Sequence, residues 1–423
     1  MSITRRGFLR QAASAAPLFT IVPARVLRAE TAPSNQLTRA LVGFGGIAHS
    51  ENHFGFRGSR LVALCDPDAL RVARGVDLAQ KRGLGKIHGC KDFRDLLADK
   101  GIDIIHVCTP PHWHGLISKM AAEAGKDVWC EKPMTRTVGE GRRVMEAVRE
   151  HKRMFRINTW FRFQSNFYGF GSEVKPIKKI VDSGVLGWPL RAVVGGGQGF
   201  GMKFGWSGLT QLDPKPVPKT FDYDLWLGPA PYKPYNPARV HGVFRGYWDY
   251  DGGGLGDMGQ HYLDPVQYLL DKDDTSPVKV DVDCDPQHPD VVGAFRRIVY
   301  TYADGCEIVL DGNGSLSKEP FLRGTKGSLW PHLRSDIPGL AGLVREMPDP
   351  PRQQTDFMDS VRRRRTFALN EVNGFRSCTI VNLGLAAMRL GRGFRFAPET
   401  LHAVDDPAAE RYLYQPMRAP WTM

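Results

Sequence analysis

The sequence predicts an α/β chain in two parts, a doubly wound parallel sheet followed by an α+β part with an antiparallel or mixed sheet. Two observations point there. From Leu37 to Thr159, short apolar runs alternate with helical patterns, which is how parallel strands and their crossover helices read in sequence. After Thr159, strand-like runs follow one another without helices between them. A third observation bounds the answer: 423 residues at 42% hydrophobic and 10% aromatic can fill two cores.

The N-terminal stretch ITRRGFLR pairs two arginines with Gly-Phe-Leu, and an Ala-rich apolar run follows from Ala12 to Val22. This resembles a twin-arginine export signal, with cleavage expected near Ala29, so residues 1–29 read as a leader. The expectation is a periplasmic protein exported already folded. Of the formal charge of +12, five units sit on the leader's Arg5, Arg6, Arg10, Arg25 and Arg28. The remaining basic residues are scattered, apart from Arg362 to Arg365 at the end of an expected helix, so no nucleic-acid partner is predicted. No run of 18 apolar residues appears, so no transmembrane span is predicted. The 7 cysteines are odd in number and form no C-x-x-C pair. Cys65, Cys108 and Cys130 fall in apolar runs and read as buried free thiols.

From Leu37 the chain reads LTRALVGFGGIAHS, a strand running into Gly43, Gly45, Gly46 and Ile47, with Ala48 in the third small position of G-x-G-x-x-G/A. A helix is expected next, then a strand, RLVALCD, ending in Asp66. Glycines let the backbone approach a pyrophosphate, the helix would offer its amides, and Asp66 would accept from ribose hydroxyls. NAD is favoured, because Asp66 would repel a 2′-phosphate; NADP stays open. Residues 36–159 therefore read as a Rossmann domain. Helices are expected at Ala69 to Lys81, Phe93 to Ala98 and His114 to Ala124, and strands at Ile102 to Cys108, Asp127 to Cys130 and Met154 to Thr159. Two strand ends carry polar clusters, Thr109-Pro110-Pro111-His112-Trp113-His114 and Glu131-Lys132-Pro133. Ligands gather at such ends, although a Pro-rich turn needs no ligand to explain it.

Residues 160–395 read as the second domain, with a helix near Lys175 to Asp182 and strands at Leu190 to Val194, Arg296 to Ala303 and Glu307 to Leu310. A long insertion rich in Pro and aromatics lies between them, a sign of function or of an oligomer contact. Its Trp226, Tyr232 and Tyr235, with Trp248, suit either stacking on sugar faces or local packing. In the stretch WDYDGGGLGDMGQHYLDP, a helix starting after Gly254 puts Asp257, His261, Asp264 and Tyr268 on one face. Leu255, Met258, Tyr262, Val266 and Leu269 would pack on the other. Pro265 would either kink this helix or open a second one. A carboxylate one turn from an imidazole suits a general base, a metal pair or a structural hydrogen bond. Too few further ligands lie nearby in sequence to support a metal, so none is predicted. Asp356 to Leu390 reads as two helices, and 396–423 as a tail on the surface.

The glycine turn, the Thr-Pro-Pro-His-Trp-His strand end, Glu-Lys-Pro and Gly-Gly-Gly-x-Leu-x-Asp-x-Gly-x-His together resemble the Gfo/Idh/MocA oxidoreductases, the glucose-fructose oxidoreductase and inositol dehydrogenase family. The resemblance covers nearly the whole chain after the leader. It implies an α+β second domain with an open, mostly antiparallel sheet that covers the Rossmann cleft. It implies Lys132, Asp257 and His261 as catalytic residues, with Asp257 orienting His261 and Lys132 holding the reacting oxygen. Cofactor contacts are implied at Glu131 and at the two strand ends, namely Thr109, Pro110, Trp113 and His114, and the bond before Pro133 is expected to be cis. Arg162, Arg245 and Trp248 are weaker substrate candidates. The implied activity is hydride transfer between a sugar or polyol and a tightly bound NAD or NADP. The alternative is a redox-neutral glycosidase that oxidises C3 transiently. A small carbohydrate substrate and a homo-oligomer complete the expectations.

Overall fold

The computed structural model describes residues 36–163, 167, 170–199 and 208–423; the expected leader, residues 1–29, lies outside them. Strands β1 (Thr38–Val42), β2 (Arg60–Cys65), β3 (His88–Cys90), β4 (Ile104–Val107), β5 (Asp127–Cys130) and β6 (Phe155–Ile157) form one sheet in the order β3-β2-β1-β4-β5-β6. Every pairing in it is parallel. β1, β4 and β5 are buried along their whole length, which is why they read as unbroken apolar runs. The order reverses between β1 and β4, and a crevice opens there at the C-terminal strand ends.

Side-chain caps start the helices where the sequence supplies them. Asp68 accepts from Leu70 N ahead of Ala69–Lys81, and Thr137 accepts from Glu140 N ahead of Val138–Glu150, a helix the sequence reading passes over. The helix expected after the glycine turn does not form. A 3-10 turn, Ile47–His49, takes its place and leads through further turns to β2, because Ser50, His53 and Phe54 are drawn into local backbone bonds.

The second sheet has nine strands in the order β13-β12-β11-β7-β10-β9-β8-β14-β15. They are β7 (Arg191–Gly195), β8 (Lys279–Asp283), β9 (Arg297–Thr301), β10 (Glu307–Asp311), β11 (Leu322–Arg323), β12 (Ser328–Trp330), β13 (Arg334–Ser335), β14 (Phe394–Ala397) and β15 (His402–Ala403). It is antiparallel except for the β7–β10 pair. The expected surface tail supplies the end of β14, all of β15 and the helix Pro407–Leu413, and Trp421 packs edge-on against Trp113 with ring centroids 4.8 Å apart. In the long insertion, Phe221, Tyr223, Trp226, Tyr235, Tyr247 and Tyr250 build a small core of their own. Among the described residues, no helix is long and apolar enough to cross a membrane.

The helix Gly253–Leu269 runs straight through Pro265 and is buried nearly all round, rather than on one face. It packs against the helix Glu371–Leu390. At Gly252 a Cβ would sit 2.4 Å from Leu385, so the glycines reflect close approach. Gln260 bridges both neighbours, accepting from Met134 N at 2.9 Å and donating to Gly374 O at 2.8 Å. Arg162 is a correction: it touches no part of the crevice. Its guanidinium is buried against Asp264 at 2.8 Å and Asp273 at 2.7 Å, which fastens this helix and the turn after it to the 3-10 turn Trp160–Phe163. Burial still pushes the Asp264 carboxyl up to about 6 despite Arg162. Replacing Arg162 by Met strands those carboxylates, so unfolding should move to lower denaturant with a loss of about 3–5 kcal/mol. Adding Asp264→Asn should recover part of it, as circular dichroism melts will show.

Candidate functional site

A cleft of about 470 Å³ opens at the ends of β1, β4 and β5, and the start of the Gly253–Leu269 helix forms its far wall. Gly43 has φ +90°, and a Cβ there would lie 2.8 Å from the carbonyl of Cys108, so the turn needs glycine. At Gly46 a Cβ would meet nothing within 4 Å, so packing does not explain that glycine. Asp66 spends its two oxygens on the turn, accepting from Phe44 N at 2.8 Å and Asp68 N at 2.9 Å. Burial pushes its carboxyl up.

Gly43, Gly45, Gly46, Ile47, Asp66, Thr109, Pro110, Trp113, His114 and Glu131 all line this one cleft, as do Lys132, Asp257, His261 and Arg245. Several have duties besides facing it. The ring nitrogens of His114 lie 2.6 Å from Pro133 O and 2.7 Å from Thr109 O, tying two strand ends together. The Lys132–Pro133 bond is cis. Thr109 Oγ1 is buried with no hydrogen-bond partner among the described residues.

Glu131 belongs to a buried network. Its Oε1 accepts from His53 Nε2 at 2.7 Å, His106 Nε2 at 3.3 Å and Asn158 Nδ2 at 2.9 Å. Burial works against its charge, but the His106 and His53 hydrogen bonds prevail and hold it well below the usual carboxylate range. Arg39 faces His106 Nδ1 at 3.1 Å, so that nitrogen accepts and Nε2 carries the proton. His53, His106 and Glu131 could hold a metal by distance alone, within 4.8 Å of one another. Their mutual hydrogen bonds and the adjacent Arg39 cation make a proton-filled network the better description. His106 gave a signal, an imidazole inside the apolar run of β4; His53 gave none.

On the far wall, the Lys132 ammonium donates to Asp257 Oδ1 at 2.9 Å and to the Asp257 carbonyl. Arg245 Nε reaches the same Oδ1 at 2.8 Å. Burial opposes ionisation of Asp257, but Lys132 and Arg245 outweigh it and hold the carboxyl at about 2. The expected orientation of His261 by Asp257 is not what forms, because two full cations outcompete a neutral imidazole for the carboxylate. His261 instead stacks on Phe161, centroids 4.2 Å apart. Burial, then the Lys132 charge, holds His261 well below its usual range, so its ring is neutral at pH 7. Trp248 is a second correction. Its indole donates to His288 O at 3.0 Å and it lines a separate small cavity, not the cleft. The sequence reading passes over Arg71, Lys91, His241 and Asp251, which also line the cleft.

Residues 37–159 match the oxidoreductase family's NAD-binding Rossmann fold, and residues 170–423 its C-terminal α/β domain. The chain is 32% identical over 158 residues to an uncharacterised oxidoreductase, YrbE, of Bacillus subtilis, covering 37% of this chain and 43% of that one. It is 31% identical over 134 residues to an inositol 2-dehydrogenase of Salmonella typhimurium, covering 31% and 37%. It is 35% identical over 106 residues to a glycosyl hydrolase family 109 protein of Shewanella sp., covering 24% and 23%. The matches thus span less than half the length of these curated relatives. Among solved structures, the WlbA dehydrogenase of Bordetella pertussis, in complex with NADH and UDP-GlcNAcA, shares the fold at TM-score 0.57 and 17% identity, over 86% of this chain and 99% of that one. With both domains matched in order over most of its length, the chain belongs to the Gfo/Idh/MocA oxidoreductase family, and its first domain is that family's NAD-binding Rossmann fold.

Proposed function

We propose that this protein moves hydride between a secondary alcohol of a sugar or polyol and a nicotinamide dinucleotide held in the cleft. The observation that carries the reading is the place of Lys132: it stands at the end of β5, roped to Asp257 on the opposite wall, in the same cleft as the glycine turn. The cleft suits a dinucleotide. The open space at Gly46 leaves room beside the backbone for a pyrophosphate, and the buried Thr109 Oγ1 has hydrogen-bonding capacity to spare.

The bound nicotinamide would supply the hydride acceptor or donor. The protein's own groups do the rest. Lys132 keeps an ammonium N–H for the reacting oxygen and stabilises charge that develops there. Asp257, itself fixed by Arg245, holds Lys132 in place, which makes that stabilisation preorganised. His261, neutral and stacked on Phe161, adds a second polar contact to the substrate. Residues 1–29 are read as a twin-arginine leader, so the protein works in the periplasm. Free dinucleotide is not replenished there, and the cofactor therefore stays bound through turnover. A homo-oligomer built on the second sheet belongs to the same proposal.

The family 109 relative favours a second reading on the same residues, a glycosidase that oxidises, eliminates and reduces without net redox change. A chromogenic glycoside separates them: steady release of aglycone by holoenzyme, with no acceptor added, would select the glycosidase.

Lys132→Met should lower kcat about 10²–10⁴-fold while dinucleotide binding persists, and His261→Asn should cost less. Near-normal hydride transfer in both, read at the reduced-nicotinamide band, would overturn the assignment. The two glycines should part company. Gly43→Ala should lower the melting temperature, since its methyl strikes Cys108. Gly46→Ala should leave folding intact and weaken dinucleotide binding about tenfold, ~1.4 kcal/mol, by calorimetry.

A further inference from the structure

Asp251 is absent from every role described so far. It is 5% exposed, sits just before the Gly253–Leu269 helix, and lines the cleft together with Lys132, Asp257 and His261. Its Oδ1 accepts from Gly252 N at 2.7 Å, its one side-chain hydrogen bond among the described residues. A Cβ on Gly256 would lie 2.3 Å from that oxygen, so glycine there makes room for the carboxyl over the first helical turn. Asp251 and Asp257 thus line the cleft as neighbouring carboxyl groups, and both nearby cations, Lys132 and Arg245, bond to Asp257 rather than to Asp251.

None of Lys132, Asp257 and His261 is arranged to receive a proton. The Lys132 ammonium already donates to the carboxylate and carbonyl of Asp257. Asp257 Oδ1 is held by two cations. His261 is buried beside the Lys132 charge, which opposes a second proton on its ring. We propose that Asp251 is the catalytic base, taking the proton of the reacting hydroxyl on the carboxyl that neighbours Asp257 and bonds neither Lys132 nor Arg245. This rests on the dehydrogenase reading. In oxidation the substrate O–H bond breaks and its proton goes to the Asp251 carboxylate. The C–H bond breaks with its electron pair, hydride passes to the oxidised nicotinamide dinucleotide, and a carbonyl remains. In reduction Asp251 returns the proton.

The surroundings agree with this role. Burial, then the neighbouring Asp257 carboxylate, pushes Asp251 up to about 7, while Asp257 stays at about 2. A carboxyl titrating near working pH exchanges protons most effectively, and two carboxyls driven apart mark a division of labour. Asp251 also lines the small cavity behind the helix, about 30 Å³, where Arg136, Arg389 and Tyr412 face it. Arg136 Nε and Asn382 Oδ1 are buried there without partners among the described residues, groups suited to holding a water that carries the proton onward.

Asp251→Asn keeps the side chain's shape and its bond from Gly252 N. With a panel of inositols and hexoses and the reduced-nicotinamide band as readout, oxidation by wild type should rise with pH through about 7. The variant should lack this rise and lose about 10²–10⁴-fold in kcat, with KM changed little, and Asp251→Glu should restore part of the rate with a displaced rise. Near-wild-type kcat in Asp251→Asn overturns the proposal. Thermal melts give an answer that needs no substrate. A carboxyl raised in the folded state keeps its proton longer than in the unfolded chain, so it costs stability as pH climbs from about 4 to about 7. The midpoint of Asp251→Asn should gain on wild type across that window. A gap that does not change with pH overturns the proposal. A wild type inert to every sugar overturns the dehydrogenase reading, and the base role with it, even where the melts show Asp251 titrating.

Discussion

The contact between Lys132 and Asp257 is the constraint on which the site depends, because it joins two residues 125 positions apart across the cleft. Lys132 comes from the end of a parallel strand, Asp257 from the second turn of a buried helix, and Arg245 from a 3-10 turn between them. Burying one carboxylate with two cations costs desolvation on all three, and the loss of any partner leaves an uncompensated charge. The arrangement therefore holds only while the helix stays seated. Gln260, through Met134 N and Gly374 O, and Arg162, through Asp264 and Asp273, do that seating. These contacts explain how a helix carrying so many polar residues is buried nearly all round: Asp257, Gln260 and Asp264 each meet partners from other elements.

The same charges sort the titratable groups of the cleft. Cations beside Asp257 keep it ionised, and the same Lys132 charge disfavours a charged His261. Asp251 receives burial and a like charge in place of a bonded cation, so it moves the other way. Behind the wall, Glu131 is kept ionised by hydrogen bonds from His53, His106 and Asn158, so its charge is spent inside the protein before any ligand arrives. One cleft then holds carboxyl groups with separate tasks, and their surroundings decide which is which.

Local pattern carried most of the first domain into view. β1, β4 and β5 are fully buried, so their apolar runs were legible, and Ala69–Lys81 and Phe93–Ala98 begin and end where periodicity and their Asp caps place them. The order of the nine strands in the second sheet is settled by tertiary pairing, and β11, β13 and β15 are only two residues long, too short for any alternation to show. The Gly253–Leu269 helix was legible as a helix, but its two-faced reading failed because burial all round erases amphipathicity. Pairings such as Asp257 with Arg245, or Arg162 with Asp264, leave no mark in sequence, since nothing in the spacing of 102 residues says which carboxylate an arginine will meet. The aromatics of the insertion read equally well as sugar platforms or as packing; Tyr235 and Trp226 turn out to be packed in a local core, with Trp226 also edging the cleft.

The end of the cleft around Asp66, where the proposed reading puts the adenosine, poses the opposite problem from the end around Lys132. Asp66 argued for NAD by repelling a 2′-phosphate, yet Arg71 and Lys91 line the same region and would attract one. Burial decides between them. Asp66 is 6% exposed and fixed by two backbone N–H groups, whereas Lys91 is exposed and half-buried Arg71 already gives an Nη1 donor to Phe44 O at 2.9 Å. A charge pair about 4 Å apart is worth about 1 kcal/mol in water and about 4 kcal/mol at an effective dielectric near 20. The fixed, buried carboxylate therefore acts at the higher figure and the solvated lysine at the lower. A carboxylate also has lone pairs left after two backbone bonds, enough to accept from ribose hydroxyls. The balance weights this end toward NAD, through a carboxylate whose first duty is to shape the glycine turn.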